Sequence, residues 1–247
     1  MICHAALAQA DWLAMLETAI PRPAAGRTFS AMRRVRLSDM DESGRLRLDA
    51  VARFLQDIAI DDVQETGWGL PEHLWFVRSI RIDVLEPFVG DTAVELTTWC
   101  SGVAAIAAGR RWSLKGDAGG RIEVDSVWIH LDADQQPARI DDFGVYGDAA
   151  AGRHVSTKLT LPDPPVEAPR TPWPLRATDV DLHGHVNNAV HWQAVEHVLP
   201  TTGRLRADLD YRQPIDLGDE LELVRFESCV ALVASDAVKA VARVTST

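Results

Sequence analysis

Within the eleven residues Thr178-Asp179-Val180-Asp181-Leu182-His183-Gly184-His185-Val186-Asn187-Asn188 stand two carboxylates, two imidazoles and two side-chain amides. Directly after this run, Val186, Ala189, Val190, Ala194 and Val198 recur at helical spacing. The polar run is therefore expected to be a loop that opens onto a helix start, where unpaired backbone N–H groups and the helix dipole favour negative charge. A carboxylate, an imidazole and amide donors placed there can bind and attack a polarised carbonyl. A helix cap accounts for one aspartate, Asp179 or Asp181, with the histidines at the surface. It does not account for Asp181, His183, His185, Asn187 and Asn188 within eight residues.

The elements that must position this loop are written twice. Ser38-Asp39-Met40-Asp41-Glu42-Ser43-Gly44-Arg45-Leu46 matches residues 178–186 at a constant offset of 140 (181 − 41; 184 − 44). The first copy leads into its own helical stripe, Leu48, Val51, Ala52, Leu55, Ile58 and Ala59. Residues 82–91 then resemble 209–219, each a strand, a turn running from Pro to Gly-Asp, and a second strand. The second copy carries one extra residue between Pro and Gly. Two copies at this distance mean two related modules, since solenoid repeats are shorter.

Strands are expected at 32–37, 74–85, 93–100, 106–114 and 122–131, then at 173–177, 205–211, 221–228, 230–234 and 238–244. Alternation is plain where Ile80, Ile82 and Val84 interleave with Arg81 and Asp83, and residues 115–120 have hairpin-turn chemistry. Each module reads as a long helix on an antiparallel sheet, an α+β arrangement. Six prolines crowd 162–174 and set a stiff boundary. The organisation is 1–27, an N-terminal helical segment; 28–160, the first module; 161–172, a Pro-rich linker; and 173–247, the second module. Residues 132–160 are expected to be a loop with a short helix.

The 247 residues are 47% hydrophobic with a formal net charge of -11, which suits a globular core and argues against nucleic acid as a partner. Arg33, Arg34 and Arg36, or Arg110 and Arg111, are expected to be solvated strand faces rather than docking patches. Cys3, Cys100 and Cys229 have no metal spacing and read as reduced thiols in a cytoplasmic protein. No apolar run is long enough to span a bilayer, so no membrane partner is expected. Residues 1–20 lack a basic start, carry Asp11 and Glu17, and are expected to form a short helix rather than a signal peptide. The His183-x-His185 pair has no further ligands at metal-binding spacing, and neither metal nor cofactor is expected. Glu196, four residues after Trp192, is read as a structural acid, and most of the eight tryptophans as core.

The loop Asp181-Leu182-His183-Gly184-His185-Val186-Asn187-Asn188 resembles the second-half signature of the plant and bacterial acyl-[acyl carrier protein] thioesterases, Asp-x-Asn-x-His-Val-Asn-Asn. Trp75-Phe76-Val77-Arg78, Gly90-Asp91, Thr98-Trp99, Arg110-Arg111-Trp112 and Ser126-Val127-Trp128 follow in that family's order. The similarity covers roughly residues 30–247. It implies a tandem (double) hotdog, in which each long helix is wrapped by a curved antiparallel sheet and the two sheets join edge to edge. It also implies an acyl chain held by the first module and chemistry at the second.

The resemblance makes Asp181 the catalytic acid, acting as general base or nucleophile, and His185 the catalytic imidazole, with His183 and Asn187 in lesser positioning roles. His183 stands where the family usually has Asn, and Pro214 stands where the plant enzymes carry an acid. The expected reaction is hydrolysis of a fatty acyl thioester of acyl carrier protein or coenzyme A, as part of fatty acid synthesis. A hydratase or dehydratase on the same scaffold, or a binder of acyl thioesters without turnover, are the alternatives. By analogy the fold also admits a homodimer.

Overall fold

The computed structural model describes residues 21–68 and 74–246. The helix expected within 1–20, and Cys3, lie outside them. Among the described residues ten strands build one sheet: β1 Thr28–Arg34, β2 Leu74–Glu86, β3 Ala93–Ala104, β4 Ala107–Gly116, β5 Arg121–Leu131, β6 Arg170–Pro172, β7 Leu205–Tyr211, β8 Leu221–Phe226, β9 Cys229–Ala234 and β10 Ala237–Ser246. The helices are α1 Leu48–Thr66, a short α2 Gly147–Ala150, and α3 Asn188–Val198.

The duplication is visible in the strand order, β1-β3-β4-β5-β2-β7-β10-β9-β8-β6. Read outward from the centre, each half runs through the same five strands in the same sequence. The halves meet where β2 pairs antiparallel with β7, Ile80 opposite Leu209 and Ile82 opposite Ala207. Two reciprocal ion pairs cross that seam on the other face: Arg81 Nε to Asp208 Oδ1 at 2.7 Å, and Arg206 Nε to Asp83 Oδ1 at 2.6 Å. The alternation in β2 thus serves both sides, apolar residues toward the helices and charges across the seam. Each half is a helix on a five-stranded antiparallel sheet, the hotdog arrangement, and the whole is its tandem form.

Both long helices belong to one apolar core. Leu48, Val51, Leu55 and Ile58 of α1 and Ala189, Trp192, Ala194 and Val195 of α3 are buried together against Ile82, Leu96, Trp112, Leu209 and Leu232. Gly67 closes α1 in the left-handed region, at φ 63°.

The opposite face of the sheet is covered too. Tyr146, Ala149 and Ala150 pack on Cys100, and Arg153 Nε donates to Ser101 O at 2.8 Å. Leu161 and Ala168 of the Pro-rich stretch pack on Val224, Ala231, Val233 and Val241. Asp210 anchors that crossing by accepting the Thr160 and Leu161 N–H groups at 2.9 Å each. This explains why every residue of β9 is buried. One correction follows for the strand expected at 173–177. The edge strand lies at Arg170–Pro172; Trp173 N–H adds one bond to Leu221 O at 2.7 Å, and the chain then leaves the sheet for the turn at Ala177–Asp179.

Candidate active site

The two polar loops share one backbone. In the second, Asp181 N–H donates to His185 O at 2.9 Å and Gly184 N–H to Asp181 O at 3.0 Å; in the first, the matching distances are 2.8 Å from Asp41 to Arg45 and 3.0 Å from Gly44 to Asp41. The turn ends in the left-handed region, at φ 83° for Gly184 and 78° for Gly44, which favours glycine at both positions. Each loop is tied to the neighbouring turn, Val186 N–H to Ile215 O at 2.8 Å and Leu46 N–H to Phe88 O at 3.0 Å. Asp179 and Asp39 are buried and brace the entry, each accepting a backbone N–H three residues back, from Arg176 at 2.8 Å and Arg36 at 2.9 Å.

On this common frame the side chains differ. Asp41 is saturated: it accepts from Ser43 N at 2.9 Å, Ser43 Oγ at 2.7 Å, Arg45 N at 3.0 Å and Arg45 Nε at 2.9 Å. Burial pushes its pKa up, but the Ser43 and Arg45 donors outweigh it and hold the carboxyl below its ordinary value. Arg45 then reaches across to α3, donating to Glu196 Oε1 at 2.9 Å and to Thr201 Oγ1 at 3.1 Å. Glu196 is pushed up by burial while the Leu48 N–H and Arg45 support its charged form. The first loop is thus closed by a buried ion network over the start of α1.

The second loop has no such plug. Asp181, half-buried, accepts from His183 N at 2.9 Å and from Asn187 Nδ2 at a long 3.4 Å. These are its only side-chain hydrogen bonds among the described residues, so acceptor capacity remains on the carboxylate. Asn187 is the N-cap of α3, its Oδ1 accepting from Ala189 N at 2.9 Å and from Gln56 Nε2 of α1 at 3.2 Å. His185 takes the place of Arg45. Its Nδ1 lies 2.7 Å from Asp216 Oδ1, and both side chains are open to solvent at 38% and 61%. A carboxylate only accepts, so Nδ1 carries the proton and Nε2 of the neutral ring is left as an acceptor.

His183 is exposed at the turn, and its ring makes no hydrogen bond among the described residues. Beneath the loop, His191 is buried, with Nδ1 3.3 Å from Asn187 O and its ring 5.0 Å from that of Tyr211. Burial pushes the His191 pKa down to about 4. The loop therefore gathers Asp181, Asn187 and His185, and leaves the His183 ring outside.

The model of the acyl-ACP thioesterase N-terminal domain matches residues 26–143, and that of the C-terminal domain matches 164–238. The chain belongs to the acyl-ACP thioesterase family. It is a thioester hydrolase. "Uncharacterized protein Rv2001" of Mycobacterium tuberculosis is 33% identical over 215 residues, covering 84% of this chain and 86% of that protein. Two solved structures share the fold at low identity. An acyl-ACP thioesterase from Bacteroides thetaiotaomicron has TM-score 0.75 and 18% identity over 88% of this chain and 96% of that one. The 12:0-ACP thioesterase from Umbellularia californica has TM-score 0.74 and 15% identity over 89% and 97%.

Two residues at the loop of this thioesterase escaped the sequence reading. Asp216 stands where the first copy has Val89, two residues past Pro214. The extra residue in the second turn was the available signal. Gln56 is the repeat partner of Glu196 (196 − 140), an arithmetic the offset already permitted.

Proposed function

We propose that this chain hydrolyses fatty acyl thioesters carried by acyl carrier protein, at the start of α3. The thioester carbonyl oxygen faces the helix-start amides, Asn188 N–H first among them, which stabilise the developing oxyanion. Asp181 takes a proton from water as that water attacks the carbonyl carbon, or attacks the carbon itself to form an anhydride that water then opens. The C–S bond breaks and the leaving thiolate takes the proton that Asp181 removed from water or, on the anhydride route, a proton from solvent. His185, held by Asp216, orients water or the carbonyl through Nε2, while Asn187 steadies Asp181. The acyl chain is assigned to the first half, where Phe29, Phe76 and Trp128 are partly buried at the margin of the core.

One contrast carries this reading: Asp41 has four close donors, one of them a guanidinium, whereas Asp181 on the same backbone has two, one of them long. The start of α1 is equally instructive. A carboxylate of the chain itself, Glu196, faces its first N–H. The residue related to Glu196 by the repeat is the neutral Gln56, which leaves the matching position at α3 for an oxyanion.

The test is free-thiol release from acyl carrier protein and coenzyme A thioesters of graded chain length, run beside Asp181→Asn. Release by the parent and none by the variant is expected, with the carrier protein esters preferred. Release by the variant at the parent rate, or an enoyl product in place of thiol, overturns the reading.

A further inference from the structure

We infer that Gln56, contributed by the helix of the other half, is a positioning residue for the Asp181 loop and acts through the Asn187 amide. The inference rests on the hydrolytic reading of that loop and goes beyond it by making the site a product of both halves.

Asn187 has one carbonyl and one amide group to place. Ala189 N–H, 2.9 Å from Oδ1, needs an acceptor, and Gln56 Nε2 donates to the same oxygen at 3.2 Å. With two donors on the oxygen, the NH2 end is turned the other way, and it is this end that lies 3.4 Å from Asp181 Oδ2. Gln56 thus helps hold Asn187 in the orientation that presents a donor, not an acceptor, to the acid.

The residue type at 56 has a physical reason. Gln56 and Glu196 are repeat equivalents, and each reaches across to the start of the other half's helix. Glu196 meets a guanidinium, where a carboxylate is the right partner. Gln56 meets a carbonyl oxygen. A carboxylate there repels that oxygen and accepts from the amide instead, turning it round and setting its oxygen against Asp181. Only the neutral donor suits the second loop.

The experiment compares Gln56→Leu and Gln56→Glu with the parent in steady-state thiol release from a fatty acyl thioester of acyl carrier protein. The side-chain amide resonances of Asn187 are followed by NMR in the same proteins. Both variants are expected to lose about tenfold or more in kcat with KM little changed, the pattern of misplaced catalytic groups rather than lost substrate contacts. The Asn187 amide signals are expected to move in both. In an Asn187→Ala background, Gln56→Leu is expected to have no further effect. A parent-like kcat in Gln56→Leu, unmoved Asn187 signals, or a full additional loss on top of Asn187→Ala each overturn the inference. If the parent releases no thiol from any ester, the hydrolytic reading fails instead. The Asn187 signals then decide by themselves whether Gln56 sets the amide.

Discussion

The two polar loops, residues 41–48 and 181–188, are one backbone carrying opposite chemistries. In the first, a cation sits inside: Arg45 is 7% exposed and ties Asp41, Glu196 and Thr201 into a closed network. In the second, the same position holds a half-exposed imidazole tied to a surface carboxylate, and Asp181 is left short of donors. A duplicated helix start offers the same anion-binding amides twice. In the first copy the Glu196 carboxylate faces the first of them; in the second the repeat-related residue is the neutral Gln56. Side chains, not fold, separate the two loops.

The largest effect that sharpens this contrast is in paired alanine variants. Asp181→Ala is expected to lose at least about 10³-fold in turnover, within the range of a lost general base, and to melt close to the parent. Asp41→Ala is expected to keep turnover per folded molecule and to melt lower. Thiol-release rates and thermal denaturation of both proteins measure this, and a catalytic collapse in Asp41→Ala breaks the comparison.

Next is Arg45→Ala, which strands the buried Glu196 carboxylate and is expected to cost roughly 3–5 kcal/mol in urea unfolding. Glu196→Gln added to it is expected to restore part of that loss. A neutral result for Arg45→Ala means the first loop does not depend on its ion network.

The third prediction concerns pH. Burial holds His191 neutral in the folded chain, with a pKa of about 4 against 6.5 when free. The unfolded chain therefore binds the extra proton between these values. The stability that the neutral ring contributes is complete above pH 6.5 and is lost as pH falls toward 4, on the order of 3 kcal/mol in all. Unfolding free energies measured from pH 7 to pH 4 are expected to fall more steeply for the parent than for His191→Leu. Parallel profiles refute this.

The smallest expected effect is at the rim. Asp216→Asn keeps the shape but removes the charge facing His185 Nδ1, and turnover is expected to fall roughly tenfold, a fraction of what the imidazole itself supplies. Rates equal to the parent assign the exposed pair no role in orienting the ring.

Much of this was legible in the chain. The 140-residue offset marks two modules, and the helical stripes after Leu46 and Val186 mark two helix starts. Asp181, Gly184 and Asn187 fix the loop through contacts two to six residues apart, within reach of spacing arguments. The second turn was less legible. The resemblance drew attention to Pro214, and the carboxylate that meets His185 is at 216. The Pro-rich stretch read as a linker, but Leu161 and Ala168 within it also pack on the sheet's other face.

The sequence by itself determined the duplication, the loop backbone and the residue types set upon it, because these follow from local spacing, glycine conformation and helix capping. Tertiary structure alone decided which distant groups complete each loop: Asp216 at 31 residues from His185, Gln56 at 131 from Asn187, and Glu196 at 151 from Arg45. The pairing of β2 with β7 and the packing of α1 on α3 bring the last two pairs together, while the first is made inside the second half, where Val186 N–H bonds Ile215 O.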